Sequence, residues 1–300
     1  MRASAILVLI AFIPFLARDA RACSICGCDP SSGTLGLDRP SAGDMRLALE
    51  DRYLYKESGT GDAYEGEREN RALFRFQYAP VNRLAVQVEL PFYAWKTHLD
   101  ASGVVDDRAH GLGDVLIGAR YELLRMGGLM PRHVLALVGT IKTPSGANDR
   151  GTPGVIDEHK QLGTGTWDEQ VGLWYTFGAF PTVAYAGVQA RVNGTNGRGF
   201  HYGNALFATV GARRSFLESR RLYLSLDLQG RNAGYDHFAD GSRDPDSGGF
   251  ITYAAASAGL AITDSFLLQG SLQIPAFQAL HGTQSEHPVA FVGLAYDFPL

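Results

Sequence analysis

Three cysteines stand together as Cys23-Ser24-Ile25-Cys26-Gly27-Cys28, and the chain has no others. Thiolates at C-x2-C-x-C spacing can converge on one soft ion, with Cu(I) or Zn(II) the natural candidates. In an oxidising compartment the same residues can instead form a small disulfide with one thiol left over. A third reading makes Cys23 the lipid-bearing residue of a lipoprotein leader, but Ala20 and the charged Arg21 just before it argue against that. Haem attachment is excluded, because Gly27 follows Cys26 where C-x-x-C-H needs histidine.

A second set of chemistry-bearing residues collects in long polar stretches. Seven of the eight histidines (His98, His110, His159, His201, His237, His281 and His287) lie in or beside them, among Asp100, Asp106, Asp107, Asp157, Glu158, Asp236, Asp240, Asp244 and Asp246. The sharp reading is a polar, acidic mouth that concentrates divalent cations. The plain one is that lipid-facing strands exclude polar side chains, so histidines gather elsewhere. No pair shows the H-x3-H spacing of a helical metal site, and the nearest pair, His281 and His287, has no cysteine nearby, so the plain reading is preferred. The run Asp240–Asp246 has the look of a calcium loop. Its sixth position is Pro245 where an EF-hand needs glycine, and it reads as a solvated turn.

What must position these residues is a series of strands. Twelve strand-like runs follow Gly43, at about 45–56, 71–79, 83–96, 112–124, 133–143, 164–177, 182–193, 203–215, 221–231, 250–261, 265–275 and 289–298. Within them apolar and polar residues alternate with period two. Leu222, Leu224, Leu226 and Leu228 share one face, for example, and Ser225, Asp227, Gln229 and Arg231 the other. Connections alternate between short turns (Ala79–Asn82, Gly178–Pro181, Ile262–Asp264) and long polar loops (57–70, 97–111, 144–163, 194–202, 232–249, 276–288). Short turns on one side and long loops on the other are the rhythm of an outer-membrane barrel, and an even strand count returns both ends to the same side. Greek-key crossings in a β-sandwich would scramble that segregation. Aromatics fall near strand ends on the apolar face, as an interfacial girdle requires: Tyr53, Tyr55 and Phe92 at one end, Phe76, Tyr78, Tyr121, Tyr175, Phe177, Tyr296 and Phe298 at the other. The expected fold is all-β, a transmembrane antiparallel up-and-down barrel of about twelve strands.

Residues 1–22 read as a secretory leader. Arg2 is its basic start, Ile6 to Leu16 its apolar core and Ala20-Arg21-Ala22 its cleavage site. That core is too short for a spanning helix, which needs about twenty residues. The expected organisation is therefore a leader at 1–22, a flexible cysteine-bearing periplasmic segment at 23–43 and the barrel at 44–300. The formal charge is −4, and removing a leader of net +2 leaves about −6. Nothing in this balance points to nucleic acid. The charged fraction, 19%, is low against the roughly 25% of soluble domains, and 36 glycines are many.

Three segments carry a resemblance: GLGDVLIGARYEL (Gly111–Leu123), TIKTPSG (Thr140–Gly146) and LGTGTWDEQVGLWYT (Leu162–Thr176). Together they resemble the signature of a family of outer-membrane transporters named for an association with the MetA pathway of phenol degradation. The similarity runs from about Asp44 onward, and it implies a β-barrel with a transport role but not a particular solute. Two features depart from that pattern: the cysteine segment, and the ending Phe298-Pro299-Leu300 in place of a terminal aromatic.

The polar strand faces place Arg46, Glu50, Arg52, Arg71, Arg75, Glu89, Asp114, Arg120, Glu122, Asp168, Asp227 and Arg231 toward a lumen, with Lys142, Arg191, Arg213 and Asp297 beside them. These charges nearly balance, which suits either a water-filled bore or one laced by ion pairs. Twelve strands set a narrow bore, between the filled eight-stranded barrels and the aqueous sixteen-stranded porins. The expected function is an outer-membrane channel for a small solute in a Gram-negative cell envelope, with outer-membrane lipid as its surroundings. The alternative is a Cu- or Zn-handling protein working through Cys23, Cys26 and Cys28. A lipid hydrolase needs a nucleophile and base on the lipid-facing wall, and no Ser–His pair falls there, so no enzyme is expected. A closed structural barrel ranks last.

Overall fold

The computed structural model describes residues 42–127, 132–151, 156–216 and 222–298. Residues 1–22, expected to be a leader, and Cys23, Cys26 and Cys28 lie outside them. Fourteen strands follow in chain order: β1 (Met45–Ser58), β2 (Glu65–Val81), β3 (Leu84–Leu99), β4 (Val105–Leu112), β5 (Leu116–Met126), β6 (His133–Lys142), β7 (Asp168–Ala179), β8 (Thr182–Val192), β9 (Ala205–Phe216), β10 (Leu222–Ala233), β11 (Gly249–Ala261), β12 (Phe266–Leu280), β13 (Ser285–Glu286) and β14 (Val289–Asp297). β4 and β5 both pair with β3, and β13 and β14 both with β1, so the wall has twelve staves. Each stave pairs antiparallel with the next in sequence, and β14 returns to β1 from Arg46↔Asp297 to Tyr53↔Ala290. The sheet is a closed twelve-stave barrel, which leaves no unpaired edge. Among the described residues no helix is long and apolar enough to cross a membrane.

Burial shows which face meets lipid. Leu47, Leu49, Phe74, Leu90, Ile117, Leu173, Leu226, Leu272 and Leu294 point outward and are exposed, whereas Glu50, Arg52, Glu122, Asp227 and Arg231 are buried inside. This inverts the soluble pattern, in which charged groups are almost never fully buried and large apolar patches are covered. A greasy outer band around a polar interior is the arrangement of a barrel in hydrocarbon. Tyr53, Phe92, Phe76, Tyr121, Tyr175 and Phe177 lie on that band. Tyr55 does not join them: it is half-buried, stacks on His287 at 4.5 Å and bonds through its hydroxyl to Tyr64 and Glu57.

Two differences from the expected strand limits are the largest. β2 begins at Glu65, not near residue 71, and residues 105–112, expected in a loop, form β4. Both additions are rich in polar residues (EGEREN in β2, VDDRAH in β4), so they stand beyond the apolar band and lack the apolar–polar alternation of a lipid-facing strand. The fourth stave divides at Gly113–Val115, opposite Pro91. Proline has no N–H to give the ladder, so strand pairing lapses there. Gly113 bridges the gap by donating its N–H to the Pro91 carbonyl at 2.8 Å.

The outer connections are L1 (59–64), L2 (100–104), L3 (143–167), L4 (193–204), L5 (234–248) and L6 (281–288). L4 and L5 continue the ladder through single bridges, Thr195↔His201, His201↔His237 and His237↔Arg243. L3 instead turns inward.

Candidate functional site

The break in the fourth stave places Asp114 on the lumen wall, where L3 folds onto it. One Asp114 oxygen accepts the Gly146 N–H at 2.9 Å. The other accepts the Thr164 N–H at 2.8 Å, the Thr164 hydroxyl at 3.0 Å and the Lys142 ammonium at 2.9 Å. Lys142 also reaches Asp168 at 2.7 Å, and Asp168 in turn accepts the Thr166 hydroxyl and the Gly194 N–H. Both ends of L3 are thereby fastened to one carboxylate. The contact needs glycine: a Cβ on Gly146 would lie 2.8 Å from the Gly113 carbonyl carbon, and one on Gly163 would lie 2.7 Å from Gly146. The segments GLGD, TPSG and LGTG, far apart in sequence, thus meet at one point. Farther along L3, Lys96 of β3 donates to the carbonyls of His159 (2.7 Å) and Gln161 (3.0 Å), while Leu162 packs on Tyr93 and Ala109.

Beneath L3 the lumen wall is lined with ion pairs. Arg52 faces Glu50 and Arg71 faces Glu69, each at 3.4 Å, and Arg75 pairs with Glu89. Near the inner rim Glu122 lies 2.8 Å from Arg125 and 3.5 Å from Arg120, and Arg46 grips Asp297 through two bonds of 2.5 and 2.8 Å. On the opposite wall Tyr185 donates to Asp227 and stacks on Trp174, and Glu286 receives both Arg231 and Tyr253. Between L3 and the Arg52–Arg71–Glu89 group is a cavity of about 130 Å³, also lined by Leu73, Pro91 and Tyr93.

Above L3 lies a wider vestibule of about 860 Å³, framed by L1, L3, L4 and L5 and lined by Ile156, His159, Phe200, Phe238, Asp240 and Asp244 among others. Its loops are cross-tied. His159 Nε2 lies 3.1 Å from Asp244, and Arg198 bonds Glu158 through both arms of its guanidinium. Partial burial would raise the Asp244 carboxyl, but the His159 hydrogen bond, the His159 charge and the Asp246 N–H hold it below 3.8. Burial, together with His201 and Arg243, pushes the His237 imidazole below 6.5. Residues 240–246 are more than a solvated turn, since Asp246 accepts both the N–H (2.7 Å) and hydroxyl (2.8 Å) of Thr283 and pins L6.

Of the twelve residues assigned to the lumen from the alternation, nine are buried, while Arg46, Glu89 and Arg120 are partly covered. The histidines scatter. His98 is buried beside Glu67, His110 is on β4, His201 and His237 face each other at 6.2 Å, and His281 lies against Tyr235. His133, at the inner end of β6, contacts the Tyr175 hydroxyl at 2.6 Å. Sequence reasoning missed Glu67, Glu69 and Lys96, which line the upper lumen in the extended parts of β2 and β3, and Glu286, which sits in a stretch read as loop. A signal for Glu67 and Glu69 lay in charges repeating every second residue, Glu65, Glu67 and Glu69.

Comparison with solved structures gives the same architecture. An outer membrane channel from Pseudomonas putida F1 superposes with a TM-score of 0.71 at 16% identity, covering 90% of this chain and 99% of that one. The translocator domain of the autotransporter NalP from Neisseria meningitidis follows with a TM-score of 0.52 at 10% identity, covering 88% and 92%. A search of curated proteins finds no match. The family described as "Putative MetA-pathway of phenol degradation" matches residues 70–274, a span that holds all three signature segments around Asp114. This chain, a closed β-barrel with the architecture of outer-membrane barrels, belongs to that family.

Proposed function

We propose that the barrel is a passive channel for small solutes the size of a single ring, bearing at least one hydrogen-bonding group. The observation that carries this reading is the sequence of two spaces along the axis, a wide vestibule followed by the 130 Å³ cavity under L3. An apolar cavity of roughly 150 Å³ holds one benzene ring, so the lower space takes one such molecule at a time. Its lining differs from an apolar cavity. Arg52, Arg71, Glu89 and Asp114 surround Leu73, Pro91 and Tyr93, which suits an apolar ring with a polar substituent. A polar path through the lumen supports the same reading. Glu50, Ser225, Asp227, Gln229 and Gln273 each hold a buried oxygen without a protein hydrogen-bond partner among the described residues, and such groups need solvent or solute. The family's description ties it to phenol degradation, and a hydroxylated single ring has the size and polarity this path takes.

The test is solute entry into liposomes holding the purified barrel, comparing phenol-sized solutes with a disaccharide. Single-ring solutes should enter faster than through empty liposomes, and the disaccharide should not. Leu73→Trp, which fills the lower cavity, should slow entry about tenfold while the barrel keeps its folded gel mobility. Equal entry with and without protein for every small solute overturns the proposal.

A further inference from the structure

A cluster at the junction of L3, L4 and L5 has a chemistry that solute passage does not use. His159 of L3 and Asp236 and Asp244 of L5 each offer one ligand atom, and those atoms lie within 4.8 Å of one another. We propose that these three residues form a binding site for a divalent first-row transition ion, represented best by Zn(II), which clasps L3 to L5 at the mouth of the barrel.

The spacing already suits an ion. Two donors about 2.1 Å from a metal, subtending 90–109° at it, are about 3.0–3.4 Å apart. His159 Nε2 and Asp244 Oδ2 stand 3.1 Å apart, so an ion can replace the proton they share with little movement of either side chain. The donors are also fixed in advance. Asp157 accepts the His159 N–H at 2.9 Å, and the imidazole packs edge-to-face on buried Phe200 at 6.0 Å. Asp236 is fully buried, and one of its oxygens takes the Gly203 N–H from L4 at 2.7 Å. Outer hydrogen bonds of this kind orient a metal-binding carboxylate.

The donor set selects the ion. One imidazole and two carboxylates neutralise a dication and suit Zn(II), Ni(II) or Mn(II). Calcium asks for six to eight oxygens, and Cu(I) prefers sulfur. His159 and Asp244 line the vestibule, leaving water or a solute group to complete the coordination. Because L3 also carries Gly163 and Thr164, an ion held here ties the outer loops to the constriction on Asp114.

The experiment uses the untagged barrel folded in detergent, in a Cys23→Ser/Cys26→Ser/Cys28→Ser background so that thiols make no contribution. After chelator stripping, Zn(II) is titrated calorimetrically, and retained zinc is measured after gel filtration. The expected result is one Zn(II) per chain, with affinity reduced at least tenfold by His159→Gln and by Asp244→Asn, and slower amide exchange in L3 and L5 on adding Zn(II). His159→Gln keeps the test sound where Asp236→Asn disturbs loop folding, because that imidazole is only partly buried. Substoichiometric zinc, or affinity unchanged in His159→Gln, overturns the proposal.

Discussion

Replacing Asp114 by asparagine tests the docking of L3 with almost no change of shape. The carboxylate accepts four bonds: Gly146 N–H on one oxygen, and Thr164 N–H, the Thr164 hydroxyl and Lys142 on the other. Asparagine keeps one acceptor, which the Thr164 and Lys142 donors take, and turns the second into an NH₂ donor that then faces the Gly146 N–H. A hydrogen bond to a charged group contributes about 1.5–3 kcal/mol, and breaking a buried ion pair costs about 3–5 kcal/mol. Lys142 retains Asp168 at 2.7 Å, which offsets much of the second loss. A net weakening of about 3 kcal/mol follows, or roughly a hundredfold in the ratio of docked to undocked L3, since 1.4 kcal/mol is a factor of ten. The assay is amide exchange at Gly146 and Thr164 by mass spectrometry, read beside single-channel conductance in planar bilayers. Both amides should exchange far faster in Asp114→Asn, and larger conductance steps should become frequent. Asp51→Asn is the control, because Asp51 is on the outer face of β1, bonded only to Asn70 among the hydrogen bonds seen here. Less than a threefold change in exchange at either amide would refute the idea that this carboxylate fastens L3.

Other outcomes follow from the same contacts. Gly163→Ala places a methyl 2.5 Å from an Asp114 oxygen and 2.7 Å from Gly146, and should weaken docking by about 1–3 kcal/mol, visible as trypsin cleavage at Arg150 or Lys160. Glu286→Gln leaves Arg231 buried beside a neutral group and should lower the heat at which the barrel loses its folded gel mobility, a loss of about 3–5 kcal/mol; an unchanged midpoint would show the pair to be dispensable. In L2, the Ser102 hydroxyl and the Val104 N–H hold the Asp100 carboxyl below 3.8. A depressed carboxyl contributes order that is complete above its unfolded value and lost as pH falls through the folded one, so the L2 turn should loosen only below pH 3.8, followed by amide chemical shifts of Ser102 and Val104.

The number of staves and the face each side chain presents were legible because lipid and lumen make opposite demands. Leu222 to Arg231 shows both demands in one strand, greasy and polar by turns. The signal fails where the demand is absent. The upper parts of β2 and β4 stand in water on their outer side, so their residues are mostly polar and resemble loop. The site was harder to read for a different reason. Asp114 was identifiable as an inward charge, but nothing local reveals that Gly146 and Gly163 pack against it, since that contact depends on L3 turning back into the barrel. His159, Asp236 and Asp244 were visible as polar loop residues. Their meeting depends on three loops converging, which residue spacing along the chain does not encode.

The seam between β1 and β14 has a consequence for how the molecule can be cut. Phe298 donates its N–H to the Met45 carbonyl, so the two described ends sit side by side on the inner rim. A closed hoop has no privileged first plank. Joining those ends with a brief linker and opening the chain at Ala261–Phe266 instead would preserve every rung of the ladder, and such a rearranged polypeptide should still assemble into the same cylinder.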